Sequence, residues 1–145
     1  LKLKNTLWAM IFPYIAFRLP VSIMLIRSFF VGISKEMEEA AIIDGATLFQ
    51  IYKTIYLPLS KPIMSTVIIM TAYYAWNEVV CATIFVDSSK LRTIPVGLMT
   101  FSDGLMTEWG VVLAGMVIAC LPIMILFLAM QKNFVRGMTA GSVKG

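Results

Sequence analysis

Apolar residues fall into three blocks, at 7–31, 63–86 and 110–130, separated by two polar stretches and followed by a short basic tail. Each block is near the ~20 residues that cross a ~30 Å hydrocarbon core. The pattern predicts an all-α, polytopic membrane protein with three transmembrane helices, a helical polar loop at 34–57, a second connection at 87–109 and a tail at 131–145. The first block carries Pro13 and Pro20 and, near its middle, Arg18. A central Arg costs ~2.5–3.5 kcal/mol on the insertion scale, against ~4–8 kcal/mol from thirteen Leu, Ile, Phe and Val residues at ~0.3–0.6 each. Insertion therefore remains favourable, and Arg18 is expected to face protein or water, as a packing partner or as part of a translocation path.

The second block opens on Ser60, Lys61 and Pro62, a possible cap followed by proline in the first turn. Its Trp76, Asn77 and Glu78 place a carboxylate inside an apolar run, either as a functional group or as a paired anchor between helices. In the 87–109 connection Pro95 is expected to start a short helix with Leu98, Phe101 and Leu105 along one side. The third block is uncharged throughout. Pro122 deprives the Ile118 carbonyl of its helix donor, which predicts a kink, and Gly115 permits close approach of another helix.

The polar loop at 34–57 reads as two short helices joined at Gly45. Ser34 is a candidate N-cap, with Glu36, Glu38 and Glu39 near the positive end of the first helix. Asp44 and Gly45 stop that helix, because glycine adopts the left-handed cap conformation without strain. Thr47 and Gln50 fit a capping box for the second helix, whose Leu48, Ile51, Tyr52 and Ile55 recur at helical spacing; Pro58 is expected to end it. So small a pair cannot bury its apolar faces alone and needs a surface to dock on.

Composition narrows the chemistry. Hydrophobic residues make up 59% of the chain, above the ~45–50% of soluble domains. The net charge of +4 comes from scattered basic residues, not from a dense face suited to nucleic acid. There is no His, which removes imidazole triads and imidazole metal sites. Cys81 and Cys120 lie in apolar blocks and read as buried free thiols, so no metal site is expected. No glycine-rich phosphate loop is present, so ATP is not bound here in that way. The chain opens on Leu1, without an initiator Met or a signal core, and is expected to be a piece of a longer protein.

Glu39, Ala40 and Ala41, three residues, Gly45, nine residues, then Ile55, Leu57 and Pro58 together resemble the EAA loop of permease subunits of bacterial ABC importers. Asn5-Thr6-Leu7, Pro13-Tyr14, Ile43-Asp44-Gly45-Ala46, Trp76-Asn77-Glu78 and the ending at 137–145 are similar to the carbohydrate branch, specifically the partner permease of maltose-type systems. From about residue 5 onward the chain resembles the C-terminal half of such a permease. The resemblance implies a non-enzymatic subunit of the inner membrane. Its loop would seat in a cleft on a separate ABC ATPase dimer, which binds the ATP, so this chain needs no cofactor. A second permease, an extracytoplasmic sugar-binding protein and membrane lipid are the other implied partners. The coupling residues would be Glu39, Ala40, Ala41, Asp44, Gly45, Leu48, Ile51 and Tyr52, and the tail at 137–145 would also touch the ATPase. No catalytic residue is implied.

Residue chemistry is compatible with this. Glu39 suits a partner Arg or Lys, Gly45 permits the turn, and Leu48, Ile51 and Tyr52 supply apolar contact. Arg18, Tyr74, Asn77 and Glu78 are candidates for a substrate path, since sugars call for hydrogen-bonding and aromatic groups. With loop and tail cytoplasmic, that side holds seven basic residues against four outside, and Trp8 and Trp109 fall at the outer interface. Two other readings exist. Ala41, Gly45 and Ile51 share the spacing of a DNA-binding helix-turn-helix, but the second helix offers only Gln50, Lys53 and Thr54 to bases and phosphates, and the first is acidic. The main alternative is an ATPase-independent transport or channel protein in which the pair is a structural hairpin.

Overall fold

The computed structural model describes residues 3–103 and 106–139. Helix α1 (Trp8–Val31) runs through both of its prolines. The polar loop forms α2 (Lys35–Ile43), α3 (Leu48–Ile51), a π-helical turn (Tyr52–Tyr56) and α4 (Leu57–Leu59). Next come α5 (Lys61–Asn77), α6 (Val80–Phe85), a 3₁₀ turn (Ser89–Leu91) and α7 (Ile94–Met99). A two-residue antiparallel ribbon, β1 (Ser102–Asp103) with β2 (Met106–Thr107), precedes α8 (Trp109–Thr139). Apart from that ribbon the architecture is helical. Trp8–Val31 and Trp109–Gln131 are each long and apolar enough to cross a membrane, and Leu48–Leu59 with Lys61–Asn77 is a third candidate, bent by 61°.

The chain divides into two compact units: Leu1–Pro20 with Met70–Ala129, and Val21–Ile69 with Met130–Gly145. In the first, Met10, Ala82, Val86 and Val96 form the core, with Tyr14, Val79 and Leu91 packed against it. Asn5 ties the start of the chain to the end of α6. It adopts a positive φ of 60°, donates its N–H to the Phe85 carbonyl, and accepts through Oδ1 from the N–H groups of Asp87 and Ser88. The Trp76 indole donates to the Ala119 carbonyl at 2.9 Å, joining α5 to α8. Gly115 fulfils its expected role: a Cβ there would run into Leu98 of α7.

The second apolar block differs from expectation. It is not one helix over 63–86 but α5 and α6, broken at Glu78 and Val79. The cause is Glu78 itself. Its carboxylate accepts from the N–H groups of Cys81 (2.8 Å) and Ala82 (3.2 Å), satisfying the orphan donors of a new helix start, and from the Tyr14 hydroxyl of α1 (2.8 Å). These bonds tie Glu78 to α1 and to the start of α6.

In the second unit, Pro58 does not end the helical run, which continues to Leu59. A proline ring clashes with the carbonyl four residues earlier and leaves it without a donor. Here the preceding turn widens: the Leu57 N–H reaches the Tyr52 carbonyl, five residues back, and the π-helical turn absorbs the ring. The chain bends at Ser60, whose hydroxyl donates to the Leu57 carbonyl and does not cap α5 with its side chain. In α5, Ser65 and Thr66 donate to carbonyls four residues back, so neither buried hydroxyl is unpaired.

Three smaller departures follow. Cys120 is exposed, since no described residue covers it, whereas Cys81 is buried as expected. Phe101 lies beyond the end of α7 and is exposed, while Val96 turns inward; Leu105 is outside the described residues. The backbone of α8 continues to Thr139, so the tail expected at 131–145 begins as helix, and its last residues, 140–145, lie outside the described set.

The Glu78 cap gives a quantitative expectation. Glu78→Ala removes the acceptor of three donors; at ~1–3 kcal/mol for each buried group left unpaired, it lowers the thermal unfolding midpoint of the detergent-solubilised full-length protein by several degrees. Glu78→Gln, which keeps one oxygen, shows a smaller loss. Equal midpoints for the unmodified protein and Glu78→Ala, measured by scanning fluorimetry, would contradict the capping role.

Candidate functional site

Two groups of expected site residues can be followed in the fold, one in each unit. The first is the tip of the polar loop. Ser34 caps α2 by accepting from the Glu36 N–H, with Glu36 and Glu38 in the first turn. At the other end, the N–H groups of Gly45 and Ala46 reach back to the carbonyls of Ile42 (3.0 Å) and Ala41 (2.9 Å), with Gly45 at φ +80°. These crossed bonds satisfy the last carbonyls of α2, and the conformation they require is one that glycine alone adopts without strain. The next residue but one, Thr47, starts α3 through a reciprocal box: its Oγ1 accepts from the Gln50 N–H, and the Gln50 side chain accepts from the Thr47 N–H at 2.8 Å. The turn is therefore fixed from both sides.

What this turn presents is apolar. Ile43 is 85% exposed, Leu48 76% and Phe49 72%, with Tyr52 also exposed. Glu39, Ala40 and Asp44 are exposed beside them and Ala41 is half-buried. Of the expected contact face, Ile51 is the exception: at 2% exposure it points into its own unit and is unavailable to a partner. Phe49 takes its place. Helical spacing read Leu48, Ile51, Tyr52 and Ile55 as one stripe, but α3 is a single turn passing directly into the π-helical turn, so that stripe does not persist. Large exposed apolar residues on a rigid turn mark an interaction surface.

The base of the loop is held by Tyr56. Its hydroxyl donates to Glu38 Oε2 of α2 at 2.6 Å, and its ring meets Phe30 of α1 edge-on, with centroids 5.7 Å apart. Helical spacing gave no sign of this residue, because its partner lies eighteen positions away.

The second group lies in the other unit. Arg18, Tyr74, Asn77 and Glu78, dispersed in sequence, line one cleft of about 560 Å³ together with Met70, Tyr73, Val79 and Val80. Arg18 stacks over the Tyr74 ring at 5.1 Å, and Tyr74 meets Tyr14 edge-on. The buried Nε of Arg18 has no hydrogen-bond partner among the described residues. Asn77 donates to the Tyr73 carbonyl at 2.8 Å, and Glu78 is occupied as described. The cleft thus combines two tyrosine rings, an amide and a guanidinium with unused donors, a set suited to hydroxyl groups. Among the described residues no cluster of ligating side chains could hold a metal.

Comparison with known proteins adds the family. A profile described as "Binding-protein-dependent transport system inner membrane component" matches residues 1–140. A probable ABC transporter permease, YurM of Bacillus subtilis, is 59% identical over 145 residues, covering all of this chain and 48% of its own length. The trehalose/maltose transport system permease MalG of Thermococcus litoralis is 41% identical over 143 residues, 97% of this chain and 51% of the relative. The melibiose/raffinose/stachyose import permease MelC of Bacillus subtilis is 37% identical over 142 residues, again 97% and 51%. The chain spans about half the length of the curated relatives it matches. With its apolar helices and its match from end to near-end, this chain belongs to the family of inner-membrane components of binding-protein-dependent transport systems.

Proposed function

We propose that the chain is part of the membrane-spanning permease subunit of an ATP-driven, binding-protein-dependent sugar importer. The carrying observation is the tip at Gly45: a turn locked by caps on both sides that exposes Ile43, Leu48 and Phe49 next to the Glu39 carboxylate. Such a surface docks on a partner with an apolar cleft rimmed by Arg or Lys. That partner is the ATPase dimer, which binds and hydrolyses the ATP. Coupling residues are Glu39, Ala40, Ala41, Asp44, Gly45, Leu48 and Tyr52, with Phe49 added and Ile51 acting from inside the loop. The loop and the C-terminus face the cytoplasm, in keeping with the excess of basic residues there. Relatives named for trehalose, maltose, melibiose and raffinose support a carbohydrate cargo delivered by an extracytoplasmic binding protein. A second permease completes the path, to which this chain contributes the Arg18, Tyr73, Tyr74 and Asn77 cleft.

A photocrosslinker on a cysteine at exposed Ala40, in membranes holding the full-length protein, is expected to capture an ATPase subunit with a yield that changes on adding ATP. No adduct from Ala40 or Phe49, in membranes shown to contain the ATPase, would favour a membrane protein with a structural hairpin. Glu39→Ala removes one member of an interfacial charged pair, a change of ~2–5 kcal/mol, so co-purification of the ATPase falls at least tenfold. Undiminished co-purification would exclude the pair. Arg18→Gln lowers sugar uptake about tenfold through lost donors, with ATPase assembly unchanged. A variant that assembles poorly but transports normally per complex would make Arg18 a packing residue.

A further inference from the structure

Helix α2 carries half of the exposed tip, yet it buries no residue of its own. Apolar packing therefore does little to hold it, and its position depends on polar contacts. Glu38, half-buried on α2, receives the Tyr56 hydroxyl at 2.6 Å. Tyr56 is the last residue of the π-helical turn, and its ring rests edge-on against Phe30 near the end of α1. One side chain thus touches the coupling segment through its hydroxyl and a membrane-spanning helix through its ring. The widened turn that accommodates Pro58 sets where Tyr56 lies, and turns of this kind recur at functional sites.

We infer that Tyr56 is a positioning residue, latched to Glu38, that makes α2 and the end of α1 move as one body when the tip is displaced. This rests on the proposed coupling role, because a latch matters only if something pushes on the tip. Without it, displacement of α2 would be absorbed by the unpacked helix and would not reach α1.

The test uses the full-length permease in its complex, purified through a tag on this chain, with native cysteines replaced and spin labels at exposed Met37 of α2 and exposed Met24 of α1. In the otherwise unmodified protein the distance distribution between labels is expected to be narrow and the same with and without ATP plus vanadate. Tyr56→Phe keeps the ring and its stack but removes the donor. The distribution is then expected to shift with nucleotide, and the displaced population to rise about tenfold, the worth of a hydrogen bond to a charged acceptor. Glu38→Gln retains an acceptor oxygen and restores the nucleotide-independent distribution, while Glu38→Ala behaves as Tyr56→Phe. A Tyr56→Phe distribution unchanged from the parent, or broadened equally with and without nucleotide, overturns the latch, the second outcome making Tyr56 merely structural. Failure of the unmodified protein to retain an ATPase subunit during purification overturns the coupling role and the latch together, and is seen before any label is attached.

Discussion

A peptide group in hydrocarbon has no water to bond, so a membrane chain can interrupt a helix only where some other group takes up the freed donors and acceptors. The same need to pair each backbone group is met at each of the following interruptions of the helices. Between α5 and α6 the donors at the new helix start are met by the carboxylate of Glu78. At the end of α6, the donors of Asp87 and Ser88 are met by Asn5, which takes up a left-handed backbone conformation in doing so. Around Pro58 the lost donor is handled by widening the turn, and Ser60 returns its hydroxyl to the Leu57 carbonyl at the bend. In each case a side chain or a local change of helical period satisfies a specific backbone group.

The loop tip obeys the opposite rule. There the backbone is closed on itself, by crossed bonds at Gly45 and by the Thr47 box, and what is left unsatisfied is apolar surface. Leu48 and Phe49 sit at the start of a one-turn helix, too short to fold them inward, while Ile51 alone reaches the interior. A rigid turn with exposed large side chains loses less conformational entropy on docking than a flexible linker would.

This difference explains what was legible in the sequence. Capping is local, so Ser34, Gly45, Thr47 and Gln50 announced the helix pair and its turn. Hydropathy is also local, and it marked the apolar blocks. What failed was the assumption that an apolar block is one helix and a proline its end. At the break, Glu78 caps the start of α6 and also accepts from Tyr14, sixty-four residues away, a contact that residue spacing cannot show. The survival of the helical run past Pro58 rests on a change of helical period that spacing cannot show either. The cleft was legible only as a list of polar residues; that Arg18 stacks on Tyr74 and shares a cavity with Asn77 is a property of the packing.

The two ionisable residues of that cleft illustrate how burial assigns roles. An acid and a base in one apolar cavity would be expected to pair, yet no ion pair joins Arg18 to Glu78; among the described residues the recorded pair is the exposed Lys4 and Asp87. Glu78 has spent its oxygens on two backbone donors and a tyrosine, so it has little left to offer a guanidinium. Arg18 is held by an aromatic face, an interaction that stabilises the charge without using its N–H groups. The acid is therefore committed to the fold, whereas the buried Nε of Arg18 has no hydrogen-bond partner among the described residues. Within one cleft, burial thus leaves the carboxylate bonded to backbone and phenol while the guanidinium rests on a ring face.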